Sequence, residues 1–196
     1  MTQAVFFDVL PKPNFVDAYF AMAVGLRPIV EQNPGFISVE RFANLQKSDW
    51  YLSFSQWKNE DSLKQWRCQY DHNGAQVCGH NLVLEDYRLR VGEEKTADGF
   101  APSNRAREGL AVLVGDFEKI NALVKQADMQ LRQPRLFKGI INPQRGIALC
   151  DLSIEQGAEA MPLKASQLGA EIDLRWFEVC RDYGMFDRAE APQQFA

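Results

Sequence analysis

Histidine and closely spaced cysteines are what this sequence has least of. Its 196 residues include only two histidines, His72 and His80, so a His-rich metal site is not available. Four cysteines are spread along the chain: Cys68, Cys78, Cys150 and Cys180. A disulfide framework or a zinc ribbon needs paired cysteines at short spacing, and no CxxC occurs. We therefore expect free thiols in a reducing compartment and no bound metal.

The sequence also lacks an excess of positive charge and any long apolar run. Its formal net charge is −4, whereas phosphate binding needs a concentrated basic face. No basic stripe with interleaved aromatics is present, which argues against a nucleic-acid partner. No stretch approaches the roughly 20 apolar residues of a membrane span, and the first residues do not follow a signal-peptide pattern. We expect a cytoplasmic protein with no membrane partner.

What the chain does contain is the composition of a globular protein, 46% hydrophobic and 24% charged. In the first half, apolar runs at residues 3–9, 36–42, 50–57 and 84–91 predict strands. Helical spacing predicts a first helix capped by Asn14, with a kink at Pro28. A second helix, capped by Asn59 or Asp61, carries Leu63, Trp66 and Tyr70, and the Asn73-Gly74 pair interrupts it. The order β-α-β-β-α-β is the split βαβ, or ferredoxin-like, pattern.

The same order returns more faintly in the second half. Strands are predicted at residues 110–114, 136–141, 147–152 and 172–180, with helices at 117–131 and 154–168. We predict an α+β chain with a ferredoxin-like domain at 1–95, a linker at 96–108 and a degenerate copy at 109–196. Each sheet has helices on one face only, so packing the two uncovered faces together would bury both. One chain would then imitate a two-subunit α/β barrel; two separate domains on a linker are the alternative.

Five short pieces of the first half resemble the antibiotic biosynthesis monooxygenase family in order and spacing. They lie at residues 34–36 (PGF), 52–57 (LSFSQW), 66–72 (WRCQYDH), 75–79 (AQVCG) and 86–91 (DYRLRV). The resemblance implies a ferredoxin-like fold, a dimeric α/β barrel and a pocket between sheet and helices. Some members oxidise anthrone- or quinol-like aromatics with O₂ without metal or flavin, and others bind and degrade haem. The second half resembles no active member, so at most one active site is expected.

Three residues of the second helix are candidates for chemistry. The resemblance implies a tryptophan at the position of Trp66, where the ring would form a wall for a flat aromatic. Tyr70, one turn later, would hold substrate or donate to a developing oxyanion. His72 would face the pocket mouth and take a phenolic proton near neutral pH. The plain structural alternatives are a core pair of Trp66 and Tyr70, and an exposed or capping His72; His80 is expected at the surface.

Asp8 is the other candidate, because it interrupts an otherwise apolar strand. A buried carboxylate needs a partner or a proton. Arg88 or Arg90 could pair with Asp8 across the sheet or hold an acidic group of the substrate. In the haem-degrading members this position, as aligned, is an asparagine, which weakens the haem interpretation. A structural salt bridge is the alternative to Asp8 as a catalytic base.

These observations favour a cofactor-independent monooxygenase that acts on a small aromatic or quinol-like molecule. Such chemistry requires an electron-rich substrate, a base, a donor for the developing anion and a dry cavity. The alternatives are a non-catalytic small-molecule binding protein or scaffold and, as the weakest, a haem-binding or haem-degrading protein. The quaternary state would be a monomeric pseudo-dimer or a homodimer.

Overall fold

The computed structural model of the chain describes residues 1–96, 108–127, 134–153 and 168–192. Within these ranges the chain forms eight strands and four α-helices. The strands are β1 (Gln3–Pro11), β2 (Phe36–Asn44), β3 (Tyr51–Trp57), β4 (Leu84–Lys95), β5 (Glu108–Asp116), β6 (Arg135–Gly139), β7 (Arg145–Ser153) and β8 (Ile172–Gly184). The α-helices are α1 (Val16–Val30), α2 (Glu60–Arg67), α3 (Tyr70–Cys78) and α4 (Phe117–Ala127).

These eight strands close into one barrel in the order β1-β3-β2-β6-β7-β5-β8-β4. Strands β1 to β4 have the ferredoxin-like arrangement, with β1 between β3 and β4. Antiparallel pairing of β4 with β8 and of β2 with β6 joins them to the second four. The expected α+β content and ferredoxin-like order of the first half are confirmed. The prediction had the two sheets packed face to face, but their edge strands also pair with each other. As a result, no strand of the described barrel is left unpaired.

The barrel interior is a filled core. Phenylalanine side chains from both groups of strands meet there, and all of them are buried: Phe6, Phe42, Phe54, Phe137 and Phe177. An eight-stranded barrel is just wide enough for side chains to fill it. Gly92 of β4 allows the close approach of β8, because a Cβ at that position would lie 2.9 Å from Cβ of Phe177. The interior therefore has no room for a ligand at its centre, and any site must lie elsewhere.

The predicted helix breaks differ from those observed. Asn14 does not cap α1, because it lies in a short 3₁₀ turn and the N-cap residue is Phe15. Asn59 does cap α2, accepting a hydrogen bond from the Ser62 amide at 2.9 Å. The break after Trp66 comes at Cys68 and Gln69 rather than at Asn73-Gly74, and α3 runs through that pair.

All predicted strands of both halves are present, most of them longer than expected. The helix expected at residues 154–168 lies almost wholly outside the described residues, as does the second part of the helix expected at 117–131. None of the helices that the structure describes combines the length and the apolar character of a membrane span.

Four charged side chains occupy one end of the barrel interior. Nη2 of Arg90, which is fully buried, lies 3.2 Å from Oδ2 of Asp8, and its Nη1 lies 3.0 Å from Oδ1 of Asp151. Arg135 contacts the same two carboxylates at 3.4 and 3.1 Å. The predicted pairing of Asp8 with Arg90 across the sheet is therefore confirmed. The network of four charged side chains links β1 and β4 to β6 and β7.

We predict that Asp8→Asn lowers the free energy of unfolding by about 3 kcal/mol. The change leaves the buried Arg90 guanidinium undercompensated, and breaking a buried pair typically costs about 3–5 kcal/mol. The value falls at the lower end because Asp151 still contacts Arg90. Urea unfolding followed by circular dichroism measures it. The matched control is Asp182→Asn, which breaks the half-exposed Arg88 pair and should cost about 1 kcal/mol or less. Equal costs for the two variants would contradict the burial argument.

Candidate functional site

A cavity of about 450 Å³ lies outside the barrel, between the first four strands and helices α1 to α3, and residues of β8 and of the segment after it also line the cavity. Alternate strand residues supply its floor, because successive side chains point to opposite faces of a sheet. These floor residues are Val5, Phe7, Val39, Arg41, Ser53, Ser55, Trp57, Tyr87, Leu89 and Val91. The helices supply the roof. The cavity therefore lies between the sheet and the helices.

Trp66 and His72 meet at one end of this cavity. Their rings stack with centroids 4.2 Å apart and planes at 18°, and Trp66 stacks in turn on Trp57 at 6.2 Å. The break between α2 and α3 creates this contact. Gln69 has an extended backbone and caps α3, its side chain accepting a hydrogen bond from the His72 amide at 2.7 Å. The chain thereby folds back, so that a residue six positions after Trp66 returns to its ring.

His72 is held through one ring nitrogen. Its Nδ1 lies 2.9 Å from the carbonyl oxygen of Trp66 and 2.9 Å from Nε2 of Gln76. A carbonyl only accepts and an amide NH₂ only donates, so Nδ1 can serve one of them at a time. When Nδ1 carries the proton, it donates to Trp66 and leaves a lone pair on Nε2. Within the described ranges, that Nε2 has no hydrogen-bond partner.

The surroundings of His72 keep its imidazole neutral. Burial lowers the pKa of His72 to about 4, and the hydrogen bond to the Trp66 carbonyl opposes this only in part. The ring keeps some accessible surface, as a side chain lining a cavity does. Neutral His72 can accept a hydrogen bond throughout the physiological pH range. It is a weak base, because taking a proton from a group of pKa 10 would cost about 8 kcal/mol.

We predict that His72 titrates with a midpoint near pH 4. Between pH 4 and the ordinary value of about 6.5, the unfolded chain binds a proton at His72 that the folded chain does not. Stability should therefore fall as pH drops through this window, and it should fall less in His72→Gln. NMR titration of the imidazole protons, assigned with His72→Gln, measures the midpoint. A midpoint near 6.5 would show that the ring is solvated and would contradict the account.

The structure does not bring the other predicted site residues to this cavity. Tyr70 begins α3 and is 89% exposed, because the helix break turns it away from the Trp66 face. Asp8, Arg88 and Arg90 lie on the opposite face of the sheet, inside the barrel end. Arg88 pairs there with Asp182 and Glu108. The positions of Tyr70 and Asp8 therefore do not support the substrate contact predicted for the first or the catalytic role predicted for the second.

Several cavity residues were missed or misplaced by the sequence reasoning. His80 was expected at the surface, but it lines the cavity from a π-helical turn, and its Nδ1 is buried without a partner among the described residues. Tyr19 and Arg41 were not singled out at all. Alternation along β2 could have found Arg41, because Phe42 faces the barrel core and Arg41 therefore faces the helices.

Two sequence comparisons relate this chain to known proteins. A family model described as antibiotic biosynthesis monooxygenase matches residues 4–76. The jasmonate monooxygenase ABM of Pyricularia oryzae is 31% identical in an alignment of 210 positions, which covers 97% of this chain and 96% of that protein. The chain belongs to the antibiotic biosynthesis monooxygenase family. The family match spans β1 to most of α3, the segment that contains Trp66 and His72.

Solved structures resemble this chain more weakly. Rv0793 of Mycobacterium tuberculosis aligns with a TM-score of 0.43 and 14% identity, over 46% of this chain and 92% of that one. An anthrone oxidase-like protein aligns with a TM-score of 0.39 and 15% identity, over 98% and 96% of the two chains. At these scores and identities, the likeness carries no argument about activity.

Proposed function

We propose that the chain is a monooxygenase that oxidises a small, mostly apolar molecule with O₂ in the cavity beneath Trp66. Membership of the family and the 31% identical monooxygenase support this class of activity. One observation carries the location: the cavity brings the stacked Trp66–His72 pair to an apolar, aromatic-lined space of about 450 Å³. Ligand sites of small molecules are typically concave, apolar and furnished with a few polar groups.

The reaction we favour needs no external reductant. Conversion of an activated CH₂ to C=O by O₂ places one oxygen atom on carbon and releases the other as water with the two hydrogens. Atoms and all four electrons then balance. Hydroxylation of a C–H bond to an alcohol would instead need two further electrons from a reductant. The proposed substrates are therefore aromatic or quinol-like molecules acidic enough to release a proton to water, which leaves an electron-rich anion that itself reduces O₂.

Four cavity residues have a defined part in this proposal. Trp66 stacks on the flat substrate and excludes water, and His72 accepts a hydrogen bond from the acidic substrate hydroxyl through Nε2. Arg67 follows Trp66 in α2 and lines the cavity, with no carboxylate partner in the described parts of the chain. Its charge would stabilise the substrate anion, a role given to Tyr70 or an arginine on the sequence alone. Gln76 would select between the two His72 tautomers.

The second group of strands completes the fold in this proposal. Its central strand β5 lies between β7 and β8, just as β1 lies between β3 and β4. We take residues 109–196 as a degenerate copy of 1–95, so that one chain forms a pseudo-dimer. The copy would supply the missing sheet, and through residues such as Arg181 and Tyr183 it would add to the wall of the single active cavity, most of which belongs to the first half.

We predict that Trp66→Ala lowers kcat/KM for O₂-dependent oxidation by about 10-fold or more, because loss of the ring misplaces the substrate. Oxygen uptake with a panel of anthrones and reduced quinols measures this, with jasmonate added because the relative is named for it. The matched control is Trp50→Ala. Trp50 stacks with Lys47 and does not line the cavity. His72→Ala should also reduce turnover.

Activity that survives both Trp66→Ala and His72→Ala would place the site elsewhere. Binding of the panel without oxygen uptake would favour the non-catalytic binding alternative. The haem alternative rests on His72, whose Nε2 has no partner among the described residues and has the chemistry of an axial ligand. It predicts a Soret band on titration with haemin that is lost in His72→Ala.

A further inference from the structure

The cavity wall carries positive charge and no negative charge. Five arginines line it: Arg27, Arg41, Arg67, Arg181 and Arg188. No aspartate or glutamate is among its described lining residues. This is the reverse of the chain as a whole, whose formal net charge is −4. Cations gathered in a low-dielectric cleft focus the field and favour an anionic ligand.

Two of these arginines are already neutralised from outside the cavity. Arg27 pairs with Glu31 at 2.6 Å, and Arg181 pairs with Glu60 at 2.8 Å. Arg41 differs, since no carboxylate of the described residues lies within salt-bridge distance of it. Its Nε is buried and has no hydrogen-bond partner in the same part of the structure. Arg41 is only partly exposed, and a guanidinium held there without a carboxylate is costly, so an anion that binds it recovers free energy.

Hydroxyl groups surround Arg41. Ser53 is its direct cross-strand partner on β3, and both side chains line the cavity. Tyr19 of α1 is buried beside it. Burial raises the pKa of Tyr19, and both the nearby Arg41 charge and a side-chain hydrogen bond between the two residues oppose that rise. Together these three residues offer one positive charge and two hydroxyl donors, a set that suits a monoanionic carboxylate.

We propose that the substrate carries a carboxylate, bound by Arg41 with Tyr19 and Ser53 at the end of the cavity opposite Trp66. Ser53 and Trp57 are four residues apart on β3, which separates the two ends by about 13 Å. A molecule that spans the cavity would place its acid group at Arg41 and its oxidisable part against the Trp66–His72 pair. This inference rests on the proposed function for the location of the oxidation, but not for the binding of the acid.

Calorimetric titration with 1-naphthylacetate and with its methyl ester tests the proposal on the full chain. The wild type should bind the acid more tightly than the ester. Arg41→Gln should weaken acid binding by about 10- to 100-fold, as expected for loss of a charge-assisted hydrogen bond, and leave the ester unchanged. Arg145→Gln is the matched control. It removes the same charge next to β2, but its partner is Glu40 on the other face of that strand.

Equal affinity for acid and ester, no binding of the acid, or equal losses in Arg41→Gln and Arg145→Gln would each overturn the proposal. If Arg41→Gln fails to fold, Arg41→Lys takes its place. Lysine keeps the charge but not the planar fork, so a selective, smaller loss of acid affinity is expected. An unchanged preference for the acid in that variant would count against Arg41. Failure of the proposed monooxygenase activity alone would leave acid selectivity intact, with no oxygen uptake from any panel compound.

Discussion

Edge pairing of β4 with β8 and of β2 with β6 is the constraint on which the rest of the structure depends. It closes eight strands into a barrel whose described strands are all paired. A closed barrel of this size fills with its own side chains, and phenylalanines do so here. The interior is thereby unavailable to a ligand. The outer face of β1 to β4, roofed by three helices, is where a cavity can form.

Closure also explains how charge is divided between the two faces of the first sheet. Asp8 and Arg90 face inward, where Arg135 and Asp151 from the second group of strands complete a buried network. Arg41 faces outward, where the described residues offer it no carboxylate. Charges on the inner face are thus matched within the protein, whereas the cavity face has a positive excess. The first arrangement stabilises a fold, and the second favours an anionic ligand.

Much of the fold could be predicted because each strand can be recognised from the apolar pattern of its own residues. Apolar runs and alternation located all the strands that the structure describes, and the Asn59 cap followed from local chemistry. The break between α2 and α3 could not be located, because Asn73-Gly74 looks like a stronger interruption than Gln69, which caps the helix only through its side chain. The inward position of Asp8 could not be predicted for a related reason: which face of a doubly buried strand meets the barrel interior is decided by strands far away in sequence. Trp66 and His72 lie together in the cavity because the chain folds back at this break.

Location of a bound ligand tests the central claim that the cavity beneath α1 to α3 is the substrate site. A crystal grown with 6-bromo-2-naphthoate, measured at the bromine absorption edge, gives the ligand position without reference to activity. The account predicts an anomalous peak in this cavity, with the carboxylate at Arg41 and the ring toward Trp66. A peak at the charged end of the barrel, near Arg88 and Asp182, or beside α4 would contradict it.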